Sequence, residues 1–508
     1  MDERRTSPAP CGRRLLAWLN AVLALAALAA VAALVLEYGF REPPVPPHVL
    51  HAVEGVVVAM FVLDRLARLV AAPLRLDYLR RNWIDFFLIA LAGGFVVLAV
   101  RLRWNVLSAG ALYVLVTQAY ILVALVVRGV GVNLRFADSG IHPTWLLVGS
   151  FAAMSLIGSG LLMLPVAVRP ENQRTWYYVD ALFTAVSATC VTGLVVRDTG
   201  THFTTFGQGV ILVLIQLGGL GIMMAGSMLA VLVGKGFSVR TTNAIGRMMG
   251  DEPAGDLRRT LRFITLITIA FEAIGAALFY PMFASTLDGS GLPMSSQSAL
   301  WHSVFHSVSS FCNAGFALYR DNMMHGVPSG WSRPLREHWQ IMGVMAPLIV
   351  LGGLGFPVLR DCARWGWSRA VRCLGRLRVG PGRRPTGPPA RLTLHTKLVL
   401  GTSAALLVLG AVGLILVEKF PVERQQVGQQ GFGGENRLAS DPVALREADG
   451  GTLVRRAAFQ SVTARTAGFN TVDMDKLSDA GKMWMCLLMI VGGSPASTAG
   501  GMKTVTVA

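Results

Sequence analysis

Three short segments of this chain share a pattern that could hold a dehydrated cation. Each is an amphipathic stretch running into an uncharged or nearly uncharged loop closed by glycine: AVSATCVTGLVVRDT with Gly193, HSVSSFCNAGFALYRDN with Gly315 and QSVTARTAGFNTVDM with Gly468. A monovalent cation leaves water only where other oxygens replace its hydration shell without trapping it, and backbone carbonyls can do this. The chain must then be extended or left-handed, which glycine permits at least cost. Cys190, Val191 and Thr192, then Cys312, Asn313 and Ala314, then Thr466 and Ala467 precede the glycines, and all are small or uncharged. Arg465 is the exception: a guanidinium facing the ion would repel it, so Arg465 is expected to turn away toward an acid behind the loop. The helical stretch ahead of each loop, 181–188 in the first, would aim its negative dipole end at the path. One such loop alone reads as a helix stopped by a glycine. Three copies in register between apolar segments read as a repeated pore element, with non-helical backbone at membrane depth where it lines water.

The elements that must position these loops follow from composition. The chain has 508 residues, 53% hydrophobic and 15% charged, with a mean hydropathy of +0.53. Apolar stretches at that density indicate an all-α, polytopic membrane protein. The net charge of +17 is read through the positive-inside rule and not as nucleic-acid binding, because no basic segment carries interleaved aromatics. Arg13 and Arg14 precede an apolar run to about Leu36 that is too long for a signal-peptide core, so it reads as a first span. The six cysteines, Cys11, Cys190, Cys312, Cys362, Cys373 and Cys486, form no CxxC pair or Cys/His cluster. Cys190 and Cys312 are expected as small packing residues. His302 and His306 share a helix face at metal-ligand spacing, and packing or hydrogen bonding beside the second loop is the preferred reading. No catalytic constellation is present, so no enzyme is expected.

Four spans, about 15–37, 50–72, 83–101 and 106–128, form an N-terminal domain over 1–135. Pore repeats follow at 140–235, 260–360 and 396–508, with a basic cytoplasmic linker at 361–395. Each repeat has an outer helix, a glycine loop and an inner helix, the inner ones expected over about 207–233, 338–358 and from Lys482. The Arg-, Gly- and Pro-rich stretch 360–391 is expected to be a flexible connector. With the N-terminus in the cytoplasm, the basic segments 1–14, 234–262 and 360–397 fall inside, and the more acidic or mixed 169–180, 284–300 and 418–452 fall outside. Localisation is therefore expected in the plasma (inner) membrane. A pseudo-fourfold pore needs four loops; three are present, which suggests a truncated chain or a separate fourth piece.

The third inner helix is interrupted by VGGSPASTAGGMKT, from Val491 to Thr504. Its glycines and proline break an ordinary helix. A nucleotide-binding loop is excluded because Met502 stands where glycine should precede the lysine.

The phrases SATCVTGLVV, SSFCNAGF and QSVTARTAGFNT, with LIQLGGLGIM and IVLGGLGFPVL, resemble the Trk, Ktr and HKT potassium-transporter superfamily over about 145–508. The resemblance implies selectivity filters at Cys190–Gly193, Cys312–Gly315 and Arg465–Gly468. Potassium at those residues is the only metal implied. Glycine in every filter goes with potassium preference in that family, and serine in the first with sodium. It also implies an intramembrane gate, matched by Gly492, Gly493, Ser494, Ser497, Thr498, Gly500, Gly501 and Lys503. The expected partners are a second copy in a homodimer, a cytoplasmic nucleotide-binding regulatory ring of the TrkA/KtrA kind and membrane lipid. No cofactor is expected in this chain, and nucleotide only on the partner.

VEGVVVAMFVLDRLARLVAAP (53–73) resembles the second helix of voltage-sensor domains through Glu54, Phe61, Asp64 and Arg68, and NWIDFFLIA (82–90) resembles the third through Asp85. The candidate fourth helix lacks an arginine ladder. A sensor-like fold that packs against the pore is expected. The functional expectation is potassium uptake through a glycine filter. The alternatives are a sodium-permeable member of the same superfamily and a non-conducting sensor or assembly subunit.

Overall fold

The computed structural model describes residues 31–71, 75–81, 143–221, 257–287, 293–326, 334–378, 391–419 and 449–507, with scattered positions between 22 and 90. The chain separates into two compact units, one of Met1–Ile141 with Leu164–Val166 and Gly226–Ser238, the other holding the remainder. The secondary structure among the described residues is helical, without strand elements.

In the first unit, α1 (Pro47–Ala71) and α2 (Arg75–Arg81) pack together. Asp64 is buried on the apolar α1, and Arg68 one turn later donates to its carboxylate at 2.7 Å. An acid inside an apolar helix is costly unless paired, and this one is. The side chains of Glu54 and Phe61, residue Asp85, and most of the expected spans 83–101 and 106–128 lie outside the described residues.

The second unit repeats one plan. Outer helix α3 (Pro143–Leu162) packs on α4 (Tyr178–Thr189), which enters the first glycine loop; α5 (Thr199–His202) and inner helix α6 (Thr205–Leu220) follow. Outer helix α7 (Leu257–Ala284) packs on α8 (Ser296–Phe311), followed by a π-helical turn Ile341–Met345 and inner helix α9 (Ala346–Leu354), with α10 (Phe356–Arg378) beyond. Outer helix α11 (Leu394–Lys419) packs on α12 (Gly450–Thr463), followed by inner helix α13 (Asp479–Ile490) and the short α14 (Thr504–Val507). Side-chain caps set the starts: Thr204 Oγ1 accepts from Gly207 N at 3.4 Å, Ser295 Oγ from Ser298 N at 3.2 Å and Ser478 Oγ from Gly481 N at 2.9 Å. Among the described residues, Arg259–Ala284 and Leu394–Lys419 are long and apolar enough to cross a membrane, and α3 and α6 contain shorter apolar helices.

A small residue on each outer helix, α3, α7 and α11, faces a small residue on the helix ahead of the glycine loop, α4, α8 and α12. A Cβ on Gly158 would sit 3.4 Å from the Ala185 Cβ, one on Gly275 would sit 2.3 Å from Ser307 Oγ, and one on Gly410 would sit 2.3 Å from Ser461 Oγ. The two serines then donate to the outer helix, Ser307 to Glu272 O and Ser461 to Leu407 O, both at 2.7 Å. Lipid offers helices little hydrophobic drive to associate, so close small-residue crossings and interhelical hydrogen bonds supply it.

Two sequence expectations change here. The second inner helix does not run to 358: it stops at Gly355 (φ 85°), and the next helix leaves at 107°. Nor is all of the stretch 360–391 a flexible connector, because Phe356–Arg378 forms the helix α10. It is anchored by Asp361, whose Oδ2 accepts from the hydroxyls of Thr393 at 2.6 Å and Thr396 at 2.8 Å, at the start of α11. Residues 379–390 lie outside the described residues. Inner helix α6 ends at Gly221 (φ 76°), and 222–256, including the expected extension to 233, lie outside them too.

Candidate functional site

Helices α4, α8 and α12 each run C-terminally into a glycine loop, with Cys190, Cys312 and Ala464 as the C-caps. Beyond the caps the backbone repeats one shape. Val191, Asn313 and Thr466 are left-handed with φ of 54°, 57° and 67°, and two residues later so are Gly193, Gly315 and Gly468 with φ of 78°, 72° and 78°. Left-handed backbone costs a non-glycine residue roughly 1–2 kcal/mol, so its recurrence at one position of all three loops needs support from the surroundings.

The first two loops receive identical support. Val191 N and Asn313 N donate to Ala188 O and Ser310 O, both at 3.2 Å; Thr192 N and Ala314 N donate to Ser187 O and Ser309 O, both at 2.8 Å. Ser187 Oγ donates to Leu194 O at 2.7 Å and Ser309 Oγ to Phe316 O at 2.8 Å, bracing each loop on its far side. The third loop is longer by one residue between helix and glycine, so its bonds shift: Ala467 N donates to Thr463 O at 2.9 Å. Asn322, itself left-handed (φ 54°), reaches from the second repeat to the third loop and accepts from Asn470 N at 3.3 Å.

The loops stand edge to edge in chain order. A Cβ on Gly193 would lie 2.4 Å from Ala314 O, and one on Gly315 would lie 2.6 Å from Ala467 O and 3.0 Å from the Gly468 Cα. Flanked on both sides, the second loop is buried at Cys312, Asn313 and Ala314. The inner-helix glycine pairs press against the same region: a Cβ on Gly218 would lie 1.9 Å from Thr189 O, and one on Gly352 would lie 1.9 Å from Phe311 O. Cys312 is packed against Gly219, and its thiol faces Gln216 Oε1 at 3.6 Å. Cys190, by contrast, is exposed, so the expected packing role holds for Cys312 alone.

His302 and His306 stack with ring centroids 5.9 Å apart. His306 Nε2 accepts from Leu318 N at 3.3 Å while Nδ1 meets His302 O at 2.7 Å. These two bonds fix a neutral ring protonated on Nδ1, which braces the second loop. Among the described residues no group of His, Cys, Asp and Glu could hold a metal ion.

Val491–Thr504 forms a hairpin closed by Gly492 N to Met502 O at 3.0 Å, with Ala496 (φ 52°) and Gly501 (φ 71°) turning it. It is stitched to its neighbours on several sides. Ser494 N and Thr498 N donate to Gly353 O and Gly352 O at 2.9 and 3.2 Å, and Thr498 Oγ1 donates to Phe311 O at 3.1 Å. Gly500 N donates to Thr466 Oγ1 at 3.1 Å. Within the hairpin, Ser497 Oγ donates to Ser494 O at 2.6 Å, Gly493 O accepts from Thr504 N at 3.1 Å and Lys503 Nζ donates to Ala499 O at 2.7 Å. Among the described residues Arg465 meets no acid, contrary to the expectation from sequence. Its Nη2 donates to Gly492 O at 2.9 Å, a carbonyl left free because helix α13 ends at Ile490. Asn322 and the Thr466–Gly500 bond escaped sequence reading; the one available signal was an asparagine, a residue tolerant of left-handed backbone, just beyond the second loop.

The family model described as TrkH, cation transport protein, matches residues 141–508. The potassium/sodium uptake protein NtpJ of Enterococcus hirae is 30% identical over 369 residues, covering 72% of this chain and 68% of that protein. The Ktr system potassium uptake protein B of Bacillus subtilis is 33% identical over 367 residues, covering 72% and 68%. The crystal structure of the potassium transporter TrkH from Vibrio parahaemolyticus covers 84% of this chain and 72% of that one, at 15% identity and a TM-score of 0.46. With a repeated helix–loop–helix membrane fold and a family match over most of its length, the chain belongs to the TrkH family of membrane cation transport proteins, which are not enzymes.

Proposed function

We propose that the chain carries potassium through the three glycine loops, with the hairpin at Val491–Thr504 as the gate. The carrying observation is the repeated left-handed pair in Val191/Gly193, Asn313/Gly315 and Thr466/Gly468. Alternating left-handed and ordinary residues turns successive peptide planes the same way, which lets carbonyls share one axis and take the place of an ion's water. Cys190–Gly193, Cys312–Gly315 and Arg465–Gly468 are then the filter segments. Gly492, Gly493, Ser494, Ser497, Thr498, Gly500, Gly501 and Lys503 build the gate, which is bonded to the third loop at Arg465 and Thr466. Residues 140–235, 260–360 and 396–508 are the pore repeats; residues 1–135 form a packing domain of sensor-like design around the Asp64–Arg68 pair.

The names of the relatives support the ion and the setting. Both relatives are potassium uptake proteins by name, and one is part of a Ktr system. On that reading the protein works in the plasma membrane with its N-terminus inside, as a homodimer on a nucleotide-binding regulatory ring. Potassium is the cargo, and no cofactor sits in this chain. The NtpJ name includes sodium, which favours sodium permeation as the second reading.

Uptake of radioactive rubidium into liposomes holding the protein, with potassium or sodium as competitor, separates the two readings. Potassium should suppress uptake at concentrations where sodium has little effect. Equal competition overturns the potassium reading, and no uptake above protein-free liposomes overturns conduction.

A further inference from the structure

The 107° bend at Gly355 carries α10 away from the direction of α9. The helix that leaves is strongly cationic, with six arginines and one aspartate between Phe356 and Arg378. Between α10 and the start of α7 lies a cavity of about 210 Å³, lined by Arg259, Phe263, Arg360, Ala363, Arg364 and Trp367.

The lining offers two chemistries at once. Phe263, Ala363 and Trp367 form apolar walls, and Trp367 leaves 75% of its surface exposed. The cations stand at two depths. Arg360 is buried, and its Nη1 donates to Thr260 Oγ1 at 2.6 Å; Arg259 and Arg364 are exposed at the rim. The adjacent Asp361 accepts from the Thr393 and Thr396 hydroxyls and also feels the charge of Arg364, so the cavity keeps a net positive lining of three arginines against one carboxylate. A purely ionic ligand would use the guanidinium groups and waste the aromatic walls. A neutral apolar ligand would make no use of the three guanidinium groups. A ligand that uses both is an anion with a hydrocarbon tail. Exposed tryptophan beside arginines is also the side-chain mixture favoured at a membrane–water boundary.

We propose that this cavity binds an anionic phospholipid. Arg259 and Arg364 take the phosphate through charge-assisted hydrogen bonds, Arg360 supplies positive charge beneath it, and Phe263 and Trp367 cover the first part of the acyl chain. The site would hold α10 at the membrane surface. Because α10 follows α9 across Gly355, and Phe356 N donates to Ala496 O at 3.0 Å in the gate hairpin, lipid at this site would also steady the gate. The binding claim stands apart from the identity of the ion.

The test is native mass spectrometry of the whole protein in neutral detergent, titrated with phosphatidylglycerol, phosphatidylcholine or glycerol phosphate. Phosphatidylglycerol should be retained in preference to phosphatidylcholine. The double variant Arg259→Gln/Arg364→Gln changes only exposed side chains and should melt like the parent in detergent, yet bind phosphatidylglycerol roughly tenfold or more weakly. Arg360→Gln should weaken it as well. Equal retention of both lipids, or unchanged binding by the double variant, overturns the proposal. Glycerol phosphate binding as tightly as phosphatidylglycerol overturns it too, in favour of a free-phosphate site.

Discussion

The Arg465 guanidinium donates to the Gly492 carbonyl at 2.9 Å, tying the third glycine loop to the start of the Val491–Thr504 hairpin. A second bond runs parallel to it, from Gly500 N to Thr466 Oγ1 at 3.1 Å. The third glycine loop and the Val491–Thr504 hairpin are therefore joined through two consecutive residues, Arg465 and Thr466.

Arg465→Gln should loosen the gate. The lost bond has one charged partner, a class worth about 1.5–3 kcal/mol, so rubidium flux per protein should rise several-fold. Arg465→Lys keeps the charge but loses the planar reach of the guanidinium. A rise in both variants identifies the tether as the cause; a rise in the glutamine variant alone identifies the charge. Unchanged flux in both would show that the bond does not restrain the gate.

Glycines of this chain should divide sharply when given a methyl group. Gly352→Ala places its Cβ 1.9 Å from Phe311 O, a backbone atom that cannot swing aside, and overpacking of this kind costs about 1–3 kcal/mol or more. Gly160 lies in α3, where an added methyl would meet nothing within 4 Å, so Gly160→Ala should stabilise by roughly 0.5–1 kcal/mol through helix propensity. Melting temperatures in one detergent check both signs.

The glycine loops were legible in the sequence because they are local: each carries its own helix, an uncharged or nearly uncharged run and its glycine within some fifteen residues. The bend at Gly355 was not. LGGLGFPVL reads as continuous apolar helix, and only the left-handed φ at Gly355 reveals the stop. The arginines of 360–378 read as a solvated linker because their anchor, Asp361 to Thr393 and Thr396, spans more than thirty residues. The partner of Arg465 was misjudged for a related reason. A sequence displays acids, whereas a carbonyl freed by a helix end is visible only once the end is placed. The outer-helix glycines Gly158, Gly275 and Gly410 were hidden inside uniformly apolar stretches.

Those crossing points make a third prediction. Ser461→Ala keeps the close approach to Gly410 and loses one hydrogen bond to Leu407 O, a cost of about 1 kcal/mol. Ser461→Leu cannot fit against Gly410 and should separate α11 from α12, lowering the melting temperature further and abolishing flux. Equal effects from the two variants would show that helix spacing at this point is not critical.

Outside the apolar helices, Glu337 holds both Arg455 and Arg456 of α12. Burial pushes the Glu337 carboxyl up, but the bonds and charges of Arg456 and Arg455 outweigh it and hold the group below the ordinary glutamate range. A depressed carboxylate pKa contributes stability that is present above its unfolded value and lost as pH falls through the folded one. The melting temperature of the parent should therefore drop on acidification below the ordinary glutamate pKa. Glu337→Gln should start lower at neutral pH and lose part of that dependence. Parallel pH curves for the two proteins would rule out this role for Glu337.

Selection of the ion by the glycine loops themselves is the core of the proposed function. It is tested most directly by the potassium-to-sodium permeability ratio, from reversal potentials with potassium on one side of a reconstituted bilayer and sodium on the other, for the parent and for Gly193→Ser. A Cβ at Gly193 would press on Ala314 O at 2.4 Å, displacing a carbonyl of the neighbouring loop. The ratio should favour potassium in the parent and fall toward unity in Gly193→Ser while current persists. A ratio near unity in the parent, or one unmoved by the substitution, would contradict it.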